Sequence, residues 1–104
     1  MRASLVTGGG TGIGRAIALA LAGPDTMVVV AGRTPQTLEA TFRDIIARGG
    51  QAMAVQMDVS DAASVEAAMA GVRARVSALD VLVNNAGVGG GRSEEHTSEL
   101  QSRE

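Results

Sequence analysis

Cysteine, tryptophan and tyrosine are all missing from the 104 residues, lysine is missing too, and Phe42 is the only aromatic ring. Without cysteine the chain can form neither a disulfide framework nor a thiolate metal site, and a reducing compartment suits it. With one ring, any core must be built from Val, Ile, Leu, Ala and Met. No apolar run reaches the length of a membrane span, and no charged stretch precedes an apolar one as in a secretory leader. The nine basic residues, all arginine, are scattered through a chain of net charge −2. They form no footprint for nucleic acid or an anionic membrane. The expected location is the cytoplasm.

What the chain does have is apolar residues, 45% of the total, and 14 glycines. That much apolar surface is enough for a core, and at this length the chain is long enough for one compact domain and too short for two. The glycines gather at 8–14 and 87–91. Clustered glycine points to sharp turns or close backbone approach rather than to a uniform linker.

Residues 3–7 read as a short buried strand, and from Ile13 the spacing becomes helical. Ile13, Ala16, Ile17, Ala20 and Leu21 fall on one stripe, and Gly23, Pro24 and Asp25 stop the helix. Residues 27–31 form an uninterrupted apolar run rich in β-branched Val, as expected of a strand covered on both faces. Thr34 is placed to cap a second helix with Pro35 at its first position; Leu38, Phe42, Ile45 and Ile46 mark the inner face, and Gly49 and Gly50 end it. Residues 52–57 predict a third strand. Ser60 or Asp61 caps a third helix carrying Val65, Met69, Val72 and Val76, and residues 81–83 make a fourth strand. The order β-α-β-α-β-α-β with short connections predicts a parallel sheet with right-handed crossovers. It is the α/β N-terminal half of a doubly wound, Rossmann-type sheet with strand order 3-2-1-4.

The segment Thr7-Gly8-Gly9-Gly10-Thr11-Gly12-Ile13-Gly14 joins the first strand to the first helix. Free N–H groups at a helix start, with the helix dipole behind them, favour a bound anion. Gly8 permits the tight turn, Gly12 leaves room for a pyrophosphate beside the backbone, and Gly14 lets the helix pack close to the sheet. The alternative is a glycine turn without a ligand. The spacing is G-x-x-x-G-x-G, not G-x-G-x-x-G. A P-loop fails at both functional positions, because Arg15 and Ala16 stand where its lysine and hydroxyl would be.

These residues resemble the short-chain dehydrogenase/reductase family. Thr7-Gly8-x-x-x-Gly12-x-Gly14 matches its cofactor motif, Asn84-Asn85-Ala86-Gly87 its second signature, and Asp58-Val59 a third, each after the expected strand. The likeness runs over about residues 1–91. It implies an NADP- or NAD-binding fold in which Gly8, Gly10, Thr11, Gly12, Ile13 and Gly14 hold the phosphates. Asp58 and Val59 would read adenine, and Asn85, Ala86 and Gly87 would support the cofactor ribose. For Asp58 the competing role is a cap on the following helix. Arg33 ends the second strand about twenty residues past the glycine motif, where a carboxylate would grip the ribose hydroxyl of NAD. A guanidinium there suits the 2′-phosphate of NADP, so NADP is expected over NAD; the competing role is a solvated surface arginine.

In the family a tyrosine moves the substrate proton, with a lysine four residues later and a serine upstream. With neither Tyr nor Lys present, that acid–base group cannot be assembled, so the expectation is no catalytic residue and no hydride transfer by this chain itself. The parent would be an oxidoreductase acting on a carbonyl or alcohol, with 3-oxoacyl thioesters a candidate substrate class. Its small-molecule substrate, and the elements that mediate oligomers, would belong to the missing half. No nucleic acid, membrane or metal partner is expected.

Residues 92–104 break with everything before them: they are polar, with Leu100 the one strongly apolar residue, and carry the single histidine, His96, beside Glu94 and Glu95. A metal or catalytic cluster there is weaker than plain solvation. Residues 92–102 match, codon by codon, the in-frame translation of a common sequencing-library adapter. The expected organisation is therefore a partial dinucleotide-binding domain over 1–91 and a non-native, disordered tail over 92–104. Cut at this point, the fourth strand is expected to present an open apolar edge and the chain to be marginally stable or to aggregate.

Overall fold

The computed structural model describes residues 2–85. The elements run β1 (Arg2–Thr7), α1 (Gly12–Leu21), β2 (Thr26–Gly32), α2 (Pro35–Ala47), β3 (Gln51–Gln56), α3 (Ala62–Arg75) and β4 (Val81–Val83). All seven expected elements are present, with strand ends shifted by a residue at most. The four strands form one parallel sheet in the order β3-β2-β1-β4. Of the two expected segments, 92–104 lies outside the described residues.

The sheet has two faces because successive strand side chains alternate. Val6, Val28, Val30 and Ala52 point to one face, where Ala18 of α1 and Leu38 and Ile45 of α2 complete the core. Leu5, Val29 and Ala31 point to the other, against Met57 and against Ala68 and Val72 of α3. That double covering explains why residues 28–31 carry no polar side chain and are fully buried.

The expected stripe on α1 is rotated. Gly14 and Ala18 are its buried residues, whereas Ala16 and Ala20 are exposed and Ile13 is 70% exposed. The helix is apolar nearly all round, so spacing alone could not fix its inner side. Small residues at 14 and 18 let it approach closely, and they decide it.

The helix boundaries follow local chemistry. Thr34 does take the N-cap position of α2 with Pro35 next, but its hydroxyl makes no cap bond; instead Thr37 Oγ1 donates to the Thr34 carbonyl at 3.0 Å. At the other end Gly49 adopts φ +86°, and Gly50 N–H closes back on the Ile45 carbonyl at 3.0 Å. Of the two candidate caps for α3, Asp61 is the one used, accepting from Ala63 N–H at 3.0 Å and Ser64 N–H at 3.4 Å.

Two clasps tie distant elements together. Asp80, just before β4, accepts the Ala3 N–H through Oδ2 at 2.9 Å and donates its own N–H to the Ala3 carbonyl at 2.8 Å. On the helical side, Arg15 of α1 pairs with Asp44 of α2 and donates to Thr41 Oγ1 at 3.2 Å.

Candidate functional site

In a parallel sheet all strands end at the same side, so the turns leaving β1, β2, β3 and β4 share one rim. That rim carries every sequence-predicted site residue among those described. Gly8, Gly10, Thr11, Gly12, Ile13 and Gly14 follow β1; Arg33 follows β2; Asp58 and Val59 follow β3; Asn85 follows β4. Ala86 and Gly87 lie outside the described residues.

The glycine turn brings backbone into close contact with backbone. Gly12 takes φ +56°, a left-handed conformation, and the space a Cβ would occupy there is open. Gly14 is needed for a different reason. A Cβ there would fall 1.9 Å from the Gly8 carbonyl oxygen and 2.7 Å from Asn85 Nδ2. The close approach expected of Gly14 is thus to the turn leaving β1 and to the β4 turn, rather than to the sheet face. Thr11 is the N-cap residue of α1, but its side chain makes no cap bond. The first N–H groups of that helix consequently lack a side-chain acceptor from Thr11.

Thr7, quoted in the motif but given no role from sequence, proves to be the joint between β1 and β4. Its buried hydroxyl donates to the Val83 carbonyl at 3.3 Å and accepts the Asn85 N–H at 2.8 Å. The Asn84–Asn85 turn is thereby fixed to the glycine turn.

Arg33 is exposed at the end of β2, with its carbonyl accepting from Gln56 Nε2 at 3.3 Å. Asp58 sits across from it: Met57 N–H donates to the Gly32 carbonyl at 2.7 Å, which sets the β2 and β3 turns side by side. The Asp58 carboxyl lies below the ordinary aspartate range. The chief cause is the hydrogen bond from the Ser60 side chain, followed by that from the Ser60 backbone, with the Arg33 charge adding a smaller effect against a small opposing cost of burial. Because Asp61 caps α3, Asp58 is not committed to that duty. Its Oδ1 accepts from Ser60 N–H at 3.0 Å and Ser60 Oγ at 2.7 Å, and its Oδ2 has no hydrogen-bond partner among the described residues. Ser60 was missed as a site-forming residue, although Asp-x-Ser is an Asx-turn pattern that could have been read.

A parallel 3-2-1-4 sheet with a glycine turn at its first strand–helix junction defines a Rossmann-type domain. The chain belongs to the short chain dehydrogenase family, which it matches over residues 2–104. Among curated relatives it is 45% identical over 84 residues to the probable oxidoreductase EphD of Mycobacterium tuberculosis, covering 81% of this chain and 14% of that protein. It is 44% identical over 86 residues to a 3-oxoacyl-[acyl-carrier-protein] reductase of Synechocystis sp., covering 82% of this chain and 35% of that one. The crystal structure of a metagenomic short-chain oxidoreductase in complex with NADP superposes with a TM-score of 0.79 at 42% identity, over 85% of this chain and 40% of the other. The chain therefore spans well under half the length of these relatives.

Proposed function

We propose that this chain is the NADP-binding part of a reductase that exchanges hydride between NADPH and a carbonyl or alcohol. What carries the proposal is the gathering of the glycine turn, Arg33, Asp58 and Asn85 on one rim of the sheet. The rim fits a dinucleotide on its own chemistry. The left-handed Gly12 leaves open space beside the start of α1, where N–H groups that the Thr11 side chain does not cap and the helix dipole favour phosphate. Arg33 supplies a planar, permanently charged fork suited to a 2′-phosphate, and no carboxylate stands at its position to prefer a ribose hydroxyl. Asp58 offers a carboxylate oxygen to an exocyclic amine, the Val59 backbone can meet the ring edge, and Asn85 with Ala86 and Gly87 would support the ribose.

When bound, the nicotinamide supplies the hydride. The 104 residues bind and orient but contain neither Tyr nor Lys, so no acid–base pair of the family kind completes the chemistry in this chain alone. The substrate pocket of the whole enzyme would be formed by residues beyond these. The similarity to a 3-oxoacyl-[acyl-carrier-protein] reductase favours 3-oxoacyl thioesters as the substrate class.

Calorimetric or fluorescence titration of the folded 104-residue chain tests this. NADPH should bind more tightly than NADH, and no carbonyl compound should be turned over. A folded chain that binds neither dinucleotide would overturn the proposal.

A further inference from the structure

The turn after β3 holds its aspartate at three points. The Asp58 N–H donates to Ser64 Oγ at 2.9 Å, and the Asp58 carbonyl accepts from Asp61 N–H at 3.0 Å. Its Oδ1 takes both the N–H and the hydroxyl of Ser60, at 3.0 and 2.7 Å. The first two contacts fix the backbone, and the N–H from Ser60 would be made by almost any residue. The Ser60 hydroxyl is the one contribution that depends on the side chain at 60. Ser60 is exposed, and α3 is capped separately by Asp61, so the hydroxyl is not needed to hold the helix.

Given the dinucleotide reading above, we propose that Ser60 is a positioning residue for base recognition. Its hydroxyl pins Oδ1 of Asp58, so that the carboxylate is held in one rotamer with Oδ2 available to accept from the exocyclic amine of adenine. An unpinned aspartate would have to surrender rotamer freedom on binding, and holding it beforehand removes that cost from the affinity. Ser60 itself does not touch the base. Its effect should therefore appear only with a ligand that presents the amine.

The test compares NADPH with its hypoxanthine analogue, which carries an exocyclic carbonyl oxygen in place of the amine, in binding to the wild-type chain, Ser60→Ala and Ser60→Thr. Circular dichroism first establishes that each is folded. Wild type should prefer NADPH, and Ser60→Ala should lower that preference about fivefold, the effect of losing one hydrogen bond. Affinity for the analogue should not change, and Ser60→Thr, which keeps the hydroxyl, should retain the preference. If Ser60→Ala weakens both ligands equally, or leaves the wild-type preference intact, Ser60 does not act through Asp58, while the dinucleotide reading stands. If wild type binds both equally, base recognition by Asp58 is excluded and Ser60 has nothing to position. If folded wild type binds neither, the dinucleotide reading itself is overturned.

Discussion

The Thr7 hydroxyl accepts the Asn85 N–H at 2.8 Å, joining two turns that are 78 positions apart in the chain. The same oxygen donates to Val83 at the end of β4, and Thr7 is 1% exposed. Replacing it by valine keeps the shape and deletes the acceptor, leaving a part-buried N–H without its present partner. Thr7→Val should cost about 1–3 kcal/mol of stability in urea denaturation. It should also weaken NADPH, since the two turns would no longer be held together. A variant as stable as wild type would show that the joint is dispensable.

Two glycines should answer oppositely to alanine. At Gly14 the new Cβ meets backbone at 1.9 Å, which nothing can relieve without moving the turn, so Gly14→Ala should abolish NADPH binding and lower the melting temperature. At Gly71, in the exposed face of α3, the Cβ meets nothing within 4 Å. Gly71→Ala should stabilise by about 0.5–1 kcal/mol through helix propensity. Equal effects at both sites would contradict the packing described for the glycine turn.

Cofactor choice should reside in Arg33. Arg33→Ala should reduce the NADPH-over-NADH preference about ten- to a hundredfold, as expected for losing a charge-assisted hydrogen bond. NADH affinity should stay near its starting value. An unchanged ratio in direct titrations would return Arg33 to the role of a solvated surface charge.

The pH response of base recognition follows from the lowered pKa of Asp58, which faces Arg33 from β2 and neighbours Asp61 on its own turn. A carboxylate held below its ordinary range stays charged as pH falls. Any stability it adds is present above its unfolded-state value and is lost only as pH drops through the lowered folded one. The preference for NADPH over its hypoxanthine analogue should accordingly be flat from about pH 8 to about pH 5, above the usual aspartate range. Using the ratio cancels titration of the 2′-phosphate, which both ligands share. A midpoint within that interval would show that Asp58 is not ionised as its surroundings imply.

Where the sequence was informative, one chemical choice dominated. The short, Val-rich run of β2 has the length and β-branching of a strand covered on both faces, and the alternation of elements points to a parallel sheet, so the order 3-2-1-4 was within reach. The inner side of α1 was not, because Ile13, Ala16, Ile17 and Ala20 are all apolar and the decision falls to the small Gly14 and Ala18. Capping was ambiguous between Ser60 and Asp61 for a similar reason: both are good caps, and only the backbone of the turn assigns Asp61 to α3 and Ser60 to Asp58. Thr7 was hidden because its partners lie 76 and 78 positions away, a relationship that no local pattern encodes.

The Ala3–Asp80 clasp bears on how the chain comes into being. β1 precedes the other three strands yet lies between β2 and β4 in the sheet, and the contacts that secure its second neighbour, Ala3 with Asp80 among them, span some 77 positions. On the ribosome, the β3-β2-β1 portion can assemble as it emerges, while one flank of β1 must wait, unzipped, for the fourth strand to arrive. That long-range closure is slow relative to local helix formation. The nascent chain therefore passes through a stage in which its central strand is exposed on one side, and during that interval a chaperone has most to offer.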